Sequence, residues 1–370
     1  MTGMRVLLTT DTIGGVWQYS IDLAIALSAQ GVEIVLVQMG PPPSDMQRAE
    51  ASAIAGTIFV ETDLPLDWLS DGPAPVLAAG AEISRLSRSY AVDVVQLNMP
   101  TLAAAAPPGV PVLAVTHGCV STWWHHARPG TPLDRGFRWH RALTKEGLHA
   151  ADRVVAPSAG YARFVGRHYG LRQTPTVVHN GRSPLVTPKQ QPAQDCVLTV
   201  GRLWDSVKGA ELLDEVAGAL TVPFHAAGAA RGPHGETVRL TNMHLLGQLD
   251  SDALARRLAA RPIFVSAACF EPFGLAVLEA AAAGCALVLA DIPVFRELWD
   301  GAALFVPPCE ADAYRAAIEQ LIGDLPLRGQ LGDAAAERAL RYTPARMADA
   351  MLILYRQLLS ERAPAGKVAA

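Results

Sequence analysis

Short apolar runs recur along the whole chain at the spacing of strands separated by helices, and this alternation limits the fold more than any single motif. Arg5–Thr10 and Val32–Val37 open the series, and Val92–Leu97, Val112–Thr116, Arg153–Ala156 and Thr176–Val178 continue it. A second series follows at Cys196–Val200, Val222–Ala226, Met243–Leu245, Ile263–Ser266, Ala286–Leu289 and Ala303–Val306. Runs without polar alternation suit strands buried on both faces, as in a parallel sheet covered by helices. The segments between them carry helical spacing. From Val16 to Ala29, the residues Val16, Tyr19, Leu23 and Leu27 share a face, and Gly31 closes the helix.

Between the two series, three prolines and three glutamines in Ser183–Asp195 leave little to bury, the composition of a linker. A chain of 370 residues is long for one core. The economical solution is α/β: two α/β/α sandwiches with parallel sheets. The expected division is residues 1–182, a linker at 183–194, a second domain at 195–343 and a frayed tail at 363–370. Thr343-Pro344 starts a further helix, about 344–362, whose apolar positions include Met347, Met351, Leu354, Tyr355 and Leu358.

Composition narrows the function classes. Half the residues are hydrophobic, yet no window approaches the ~20 uninterrupted apolar residues of a membrane span. The first residues lack a basic region followed by a signal-like apolar run, so cytoplasmic residence is expected. Five scattered cysteines with no C-x-x-C pair are expected to be reduced thiols and no metal site. The net charge of −4 hides a gradient: residues 1–90 carry −6, residues 91–182 carry +6 and the remainder −4. A basic half-domain in an acidic chain argues against general nucleic-acid binding. It suits an anionic ligand or surface, or is simply a solvated face.

Two motifs carry candidate chemistry. Gly14-Gly15 lies between a strand and a helix, where the missing Cβ lets a diphosphate or sugar approach the helix N-terminus. A tight turn without ligand fits the pair equally well. The spacing is not G-x-G-x-x-G, which counts against a nicotinamide or flavin oxidoreductase. In Glu271-Pro-Phe-Gly-Leu-Ala-Val-Leu-Glu279 a turn opens an apolar helix between two carboxylates. The helix start leaves backbone N–H groups around Phe273, Gly274 and Leu275 without intrahelical partners, beside Glu271. Such a corner suits a polyhydroxylated anion.

Glu271 to Glu279 resembles the signature of retaining, metal-independent glycosyltransferases of the GT-B fold, in particular family 4. Further segments are similar to the family in the expected order: Arg5–Val16, Ala151–Ser158, His179-Asn-Gly181, and Val200–Leu203 with Lys208-Gly209. The resemblance implies a GT-B architecture, two Rossmann-like domains facing across a cleft, with the C-terminal helix returning to the first domain. It implies sugar transfer from a nucleotide-diphosphate sugar, UDP or GDP most often, to a glycan, glycolipid or small-molecule acceptor, with retention and with no cofactor or metal. A nucleotide-sugar epimerase or hydrolase of the same architecture and a non-catalytic sugar- or nucleotide-binding protein are the alternatives.

The same resemblance assigns residues. Arg202 and Lys208 are the counter-charges for the donor diphosphate, although six residues separate them where the family commonly has five. Glu279 holds the ribose hydroxyls. Glu271 and the N–H groups of Phe273, Gly274 and Leu275 lie by the transferred sugar, and Gly14 and Gly15 line the donor side. His117 stands where the family keeps an active-site histidine; a structural role at a strand end is the other reading. His179-Asn-Gly-Arg182-Ser183 departs from the family's P-N-G-V-D loop. Between Ser121 and Arg141, Trp123, Trp124, Arg135 and Arg138 are acceptor-side candidates, with Trp139 and His140 in the same stretch. A packed helix with a solvated Arg face fits that segment equally. Peripheral contact with the inner face of a membrane is compatible with its basic, aromatic character.

Overall fold

The computed structural model describes residues 3–105, 109–186 and 193–362; residues 187–192 of the expected linker and the expected tail lie outside them. The chain divides into two compact units. One comprises residues 1–125, 130–181 and 344–370, and the other 126–129 and 182–343.

The first unit is built on a parallel sheet of seven strands in the order β3-β2-β1-β4-β5-β6-β7. These are β1 (Arg5–Asp11), β2 (Glu33–Met39), β3 (Thr57–Val60), β4 (Val94–Leu97), β5 (Val112–Val115), β6 (Arg153–Ala156) and β7 (Thr176–Val177). Six match the apolar runs to within two residues at either end. The strand Thr57–Val60 is not among the expected runs: its Ile58-Phe59-Val60 is a short apolar stretch at the sheet edge, with Ile58 exposed. Leu7, Val35 and Val95 pack on one face, and Val6, Leu8, Ile34 and Val94 on the other. Burial on both faces is what erased polar alternation from these sequences.

The helix Pro344–Arg362 belongs to this unit and lies against the helix Gly15–Ser28. Met347, Met351, Leu354, Tyr355 and Leu358 all sit in the same core as Trp17, Leu23 and Leu27. Burying a Met or Leu side chain contributes roughly 1.5–3 kcal/mol, so this helix completes the core rather than decorating it. Ion pairs fix its far end: Arg153 to Glu361 at 2.8 Å and Arg362 to Asp152 at 2.8 Å.

The second unit carries a six-stranded parallel sheet in the order β10-β9-β8-β11-β12-β13. The strands are β8 (Val197–Val200), β9 (Phe224–Ala227), β10 (His244–Gly247), β11 (Ile263–Ser266), β12 (Leu287–Ala290) and β13 (Leu304–Val306). In both sheets the first strand has the second on one side and the fourth on the other, so the order reverses there. Loops leaving the carboxyl ends of strands at such a reversal diverge and leave a crevice, where ligands of open α/β sheets bind. The reversal falls between β1 and β4 in the first unit and between β8 and β11 in the second.

Candidate active site

In the first unit, the chain leaving β1 turns at Asp11, whose Oδ1 accepts the Ile13 N–H at 2.8 Å. Gly14 then takes φ 80°, outside the range of ordinary side chains, and the helix Gly15–Ser28 begins. A Cβ at Gly14 would meet nothing within 4 Å, so backbone conformation rather than crowding demands glycine. Asn98 follows β4 and His117 follows β5, placing both beyond carboxyl ends of strands near the reversal. The His117 Nε2 lies 3.3 Å from Asn98 Oδ1, and its ring meets Tyr19 edge-on at 4.4 Å. Burial pushes the imidazole down to a pKa of about 3, so the ring is neutral throughout the physiological range.

In the second unit, the loop leaving β8 is shaped by Asp205. Its carboxylate accepts the Val207 N–H at 3.3 Å and opens a 3-10 turn over Ser206–Lys208, which Gly209 closes at φ 70°. A Cβ on Gly209 would come within 2.8 Å of the Ala267 carbonyl oxygen, so the loop also rests against the end of β11. Lys208 Nζ reaches Glu271 Oε2 at 2.6 Å, with both side chains 19% exposed. Arg202 pairs with the buried Asp205 at 2.7 Å while its own side chain stays 47% exposed.

Beyond β11, Gly274 at φ 94° caps the helix Leu275–Ala282. Its first N–H groups have no intrahelical acceptor and carry the positive end of the helix dipole. Phe273 is buried against Tyr342, anchoring this turn. Glu279 lies one turn along the helix, and its Oε1 accepts from Arg182 Nε at 2.7 Å. The two side chains are 11% and 8% exposed. Arg202 and Lys208 thus lie on the loop leaving β8, and Glu271 and the helix start on the loop leaving β11, the two strands that flank the reversal, with Lys208 and Glu271 joining the loops.

The segment 121–141 is divided by the structure. His140 is buried, with Nε2 3.2 Å from Asp67 Oδ2, and Trp139 packs against the core under the sheet. His140 is therefore out of an acceptor's reach, while Trp139 is half-buried. Trp123 and Trp124 form an edge-on pair at 6.4 Å, and Trp124 Nε1 donates to the Thr131 carbonyl at 3.2 Å. Arg135 and Arg138 are exposed.

Sequence reasoning missed three features. Arg182 registered as a departure from the family loop, but its partner Glu279 is 97 residues away. Asp205 carried a legible signal, an acidic residue immediately before a turn. The buried polar residues around His117 carried none. All five cysteines are free thiols. Among the described residues no three His, Cys, Asp or Glu side chains converge as metal ligands, and no helix is long and apolar enough to cross a membrane.

Two family models match this chain in tandem. One, Glycosyltransferase Family 4, spans residues 13–184; the other, Glycosyl transferases group 1, spans 194–324. The chain is a glycosyltransferase. A phosphatidyl-myo-inositol mannosyltransferase of Mycolicibacterium smegmatis is 35% identical over 104 residues, and the match spans 27% of each chain. Among solved structures, this glycosyltransferase superimposes on a sucrose-phosphate synthase from Thermosynechococcus elongatus with a TM-score of 0.81 at 19% identity, covering 97% and 100% of the two chains. It also superimposes on Anabaena HepE, solved in complex with UDP-glucose, with a TM-score of 0.73 at 16% identity and 96% and 100% coverage. The architecture is GT-B, as the sequence resemblance implied.

Proposed function

We propose that this glycosyltransferase takes its sugar from a nucleoside-diphosphate sugar and transfers it with retention and without a metal ion. The observation that carries the reading is the set of three ion pairs, Arg202–Asp205, Lys208–Glu271 and Arg182–Glu279, with a helix N-terminus following β11. In the reaction, the bond between the anomeric carbon and the diphosphate oxygen breaks and its electron pair leaves with the diphosphate. Arg202 and Lys208 supply the positive charge that stabilises this leaving group. For Lys208 this means exchanging part of its contact with Glu271 for the phosphate. The acceptor oxygen bonds the same face of the sugar, and its proton passes to the departing phosphate. Glu279, oriented by Arg182, accepts hydrogen bonds from the ribose hydroxyls, and Glu271 with the N–H groups of Phe273, Gly274 and Leu275 holds the sugar. Gly14 and Gly15 complete the donor side.

UDP is the favoured base, supported by the UDP-glucose complex of the HepE neighbour. For the acceptor we favour a glycan or glycolipid with an anionic group, supported by exposed Arg135 and Arg138 in the basic stretch 91–182. The same stretch supports peripheral contact with an anionic membrane face. The test is thermal-shift binding of UDP, GDP and ADP, with and without Mg²⁺, to wild type and Glu279→Ala. A ligand at 100 times its Kd adds about 2.7 kcal/mol. The expected result is a shift with UDP that needs no Mg²⁺ and weakens in the variant. Absence of a shift with all three nucleotides would overturn the donor assignment.

A further inference from the structure

The polar residues beneath His117 form a hydrogen-bonded chain whose direction can be worked out atom by atom. The Thr9 carbonyl can only accept, and Asn98 Nδ2 donates to it at 2.7 Å. The second hydrogen of Nδ2 goes to Ser20 Oγ at 3.1 Å, whose own hydroxyl donates to the Val16 carbonyl at 2.8 Å. Both amide hydrogens are thus used, and Oδ1 is the Asn98 atom that faces His117 Nε2 at 3.3 Å. Reversing the amide would set two acceptors 2.7 Å apart at a residue only 9% exposed, which burial forbids.

Gln96 reinforces this direction. It is fully buried on β4; its Oε1 accepts from Tyr355 Oη of the C-terminal helix, and its Nε2 donates to Tyr19 Oη at 3.1 Å and to Asn98 Oδ1 at 3.1 Å. The Asn98 backbone N–H, held by Thr9 Oγ1 at 2.9 Å, fixes where the side chain starts. Among the described residues, Asn98 Oδ1 thus stands only as an acceptor, taking the Gln96 hydrogen and facing His117 Nε2. An acceptor opposite Nε2 requires the proton to be on Nε2. With the ring neutral, Nδ1 carries none.

We propose that Asn98 is a positioning residue that locks His117 in the Nε2–H tautomer, so that Nδ1 accepts a hydrogen bond from a hydroxyl of the sugar substrate. The sugar half of this statement rests on the proposed function; the tautomer half does not. His117 then orients a hydroxyl rather than donating a proton, and Tyr355, through Gln96, ties the C-terminal helix to that orientation.

Long-range ¹H–¹⁵N spectra of ¹⁵N-histidine-labelled full-length protein at neutral pH read the tautomer directly. The expected wild-type spectrum has Nε2 at the protonated position and Nδ1 at the unprotonated one. Asn98→Ala should move both toward averaged values. A wild-type Nδ1–H ring or an imidazolium would overturn the proposal whatever the variant does, so a variant that fails to fold does not rescue it. For the sugar half, transfer is measured with UDP-glucose and with its analogues lacking one sugar hydroxyl each. Asn98→Ala should lower kcat about three- to tenfold with the KM for donor little changed, the size of one neutral hydrogen bond. One deoxy analogue should be transferred equally by wild type and Asn98→Ala. If every analogue keeps the wild-type advantage, His117 does not accept from the sugar, while UDP binding in the thermal-shift assay still reports the donor site separately.

Discussion

Arg182 and Glu279 offer a sharp test of how the second unit is held together. Their 2.7 Å contact is sequestered, with side chains 8% and 11% exposed. Removing one member of a buried pair leaves a desolvated charge without its partner and costs about 3–5 kcal/mol. Arg182→Met should therefore destabilise the protein by that amount, and Glu279→Gln by somewhat less, since the amide oxygen still accepts from Nε. In a domain of 150–250 residues about 2–4 °C of Tm corresponds to each kcal/mol, so Arg182→Met should melt about 6–20 °C lower. The double variant buries no charge at this point. It should regain about 1–3 kcal/mol relative to the sum of the single losses. The assay is urea unfolding of the four proteins in one buffer, followed by fluorescence, with melting curves as a check. Additivity within about 0.5 kcal/mol would show that the two side chains do not act on one another and would refute the argument.

Other expectations follow from particular contacts. Gly147→Ala places a Cβ 1.9 Å from the Pro100 carbonyl oxygen and should cost about 1–3 kcal/mol or more in urea unfolding, whereas Gly329→Ala, with nothing within 4 Å, should be neutral or stabilising. Lys208→Met should weaken UDP binding by about tenfold or more, read by titration calorimetry, with the binding more salt-dependent in wild type than in the variant. Burial, with Arg257 and His244 nearby, pulls His225 below the usual histidine value of 6.5. The unfolded chain then binds the extra proton first, so stability should be intact above about pH 6.5 and fall as the pH drops below it. His225→Gln should flatten that slope in melting curves taken between pH 7.5 and 5; an unchanged slope would exclude this residue as its source.

Much of the architecture could be read before any coordinates because parallel strands buried on both faces leave uninterrupted apolar runs. β3 escapes detection although Ile58-Phe59-Val60 is apolar, because three residues at a sheet edge, with Ile58 exposed, make too short a run to stand out from a loop. In the candidate site, Glu271 and Glu279 stood out because two carboxylates flank a glycine turn that opens an apolar helix, whereas Arg202 and Lys208 stood out only through the resemblance to the family. Their pairings did not. Glu279 reaches Arg182 across 97 residues, and Gln96 reaches Tyr355 across 259. Asn98, Gln96 and Tyr19 each look like ordinary polar residues of strand and helix, and only the assembled core reveals that their amide and hydroxyl groups answer one another. His140 gave no sign of its burial, since a basic aromatic stretch reads as surface until the fold turns this member inward against Asp67.

The discontinuity of the first unit has a consequence for biosynthesis. Residues 3–181 emerge from the ribosome well before Pro344–Arg362, whose Met347, Met351 and Tyr355 fill the groove beside Trp17 and Leu27. At about 5–20 residues per second, the intervening 182–343 take about 8–32 s to synthesise. Throughout that interval the nascent amino-terminal portion carries an uncovered apolar groove, a natural target for a holdase. Its final closure waits on the last helix, so the order of maturation runs opposite to the order of translation.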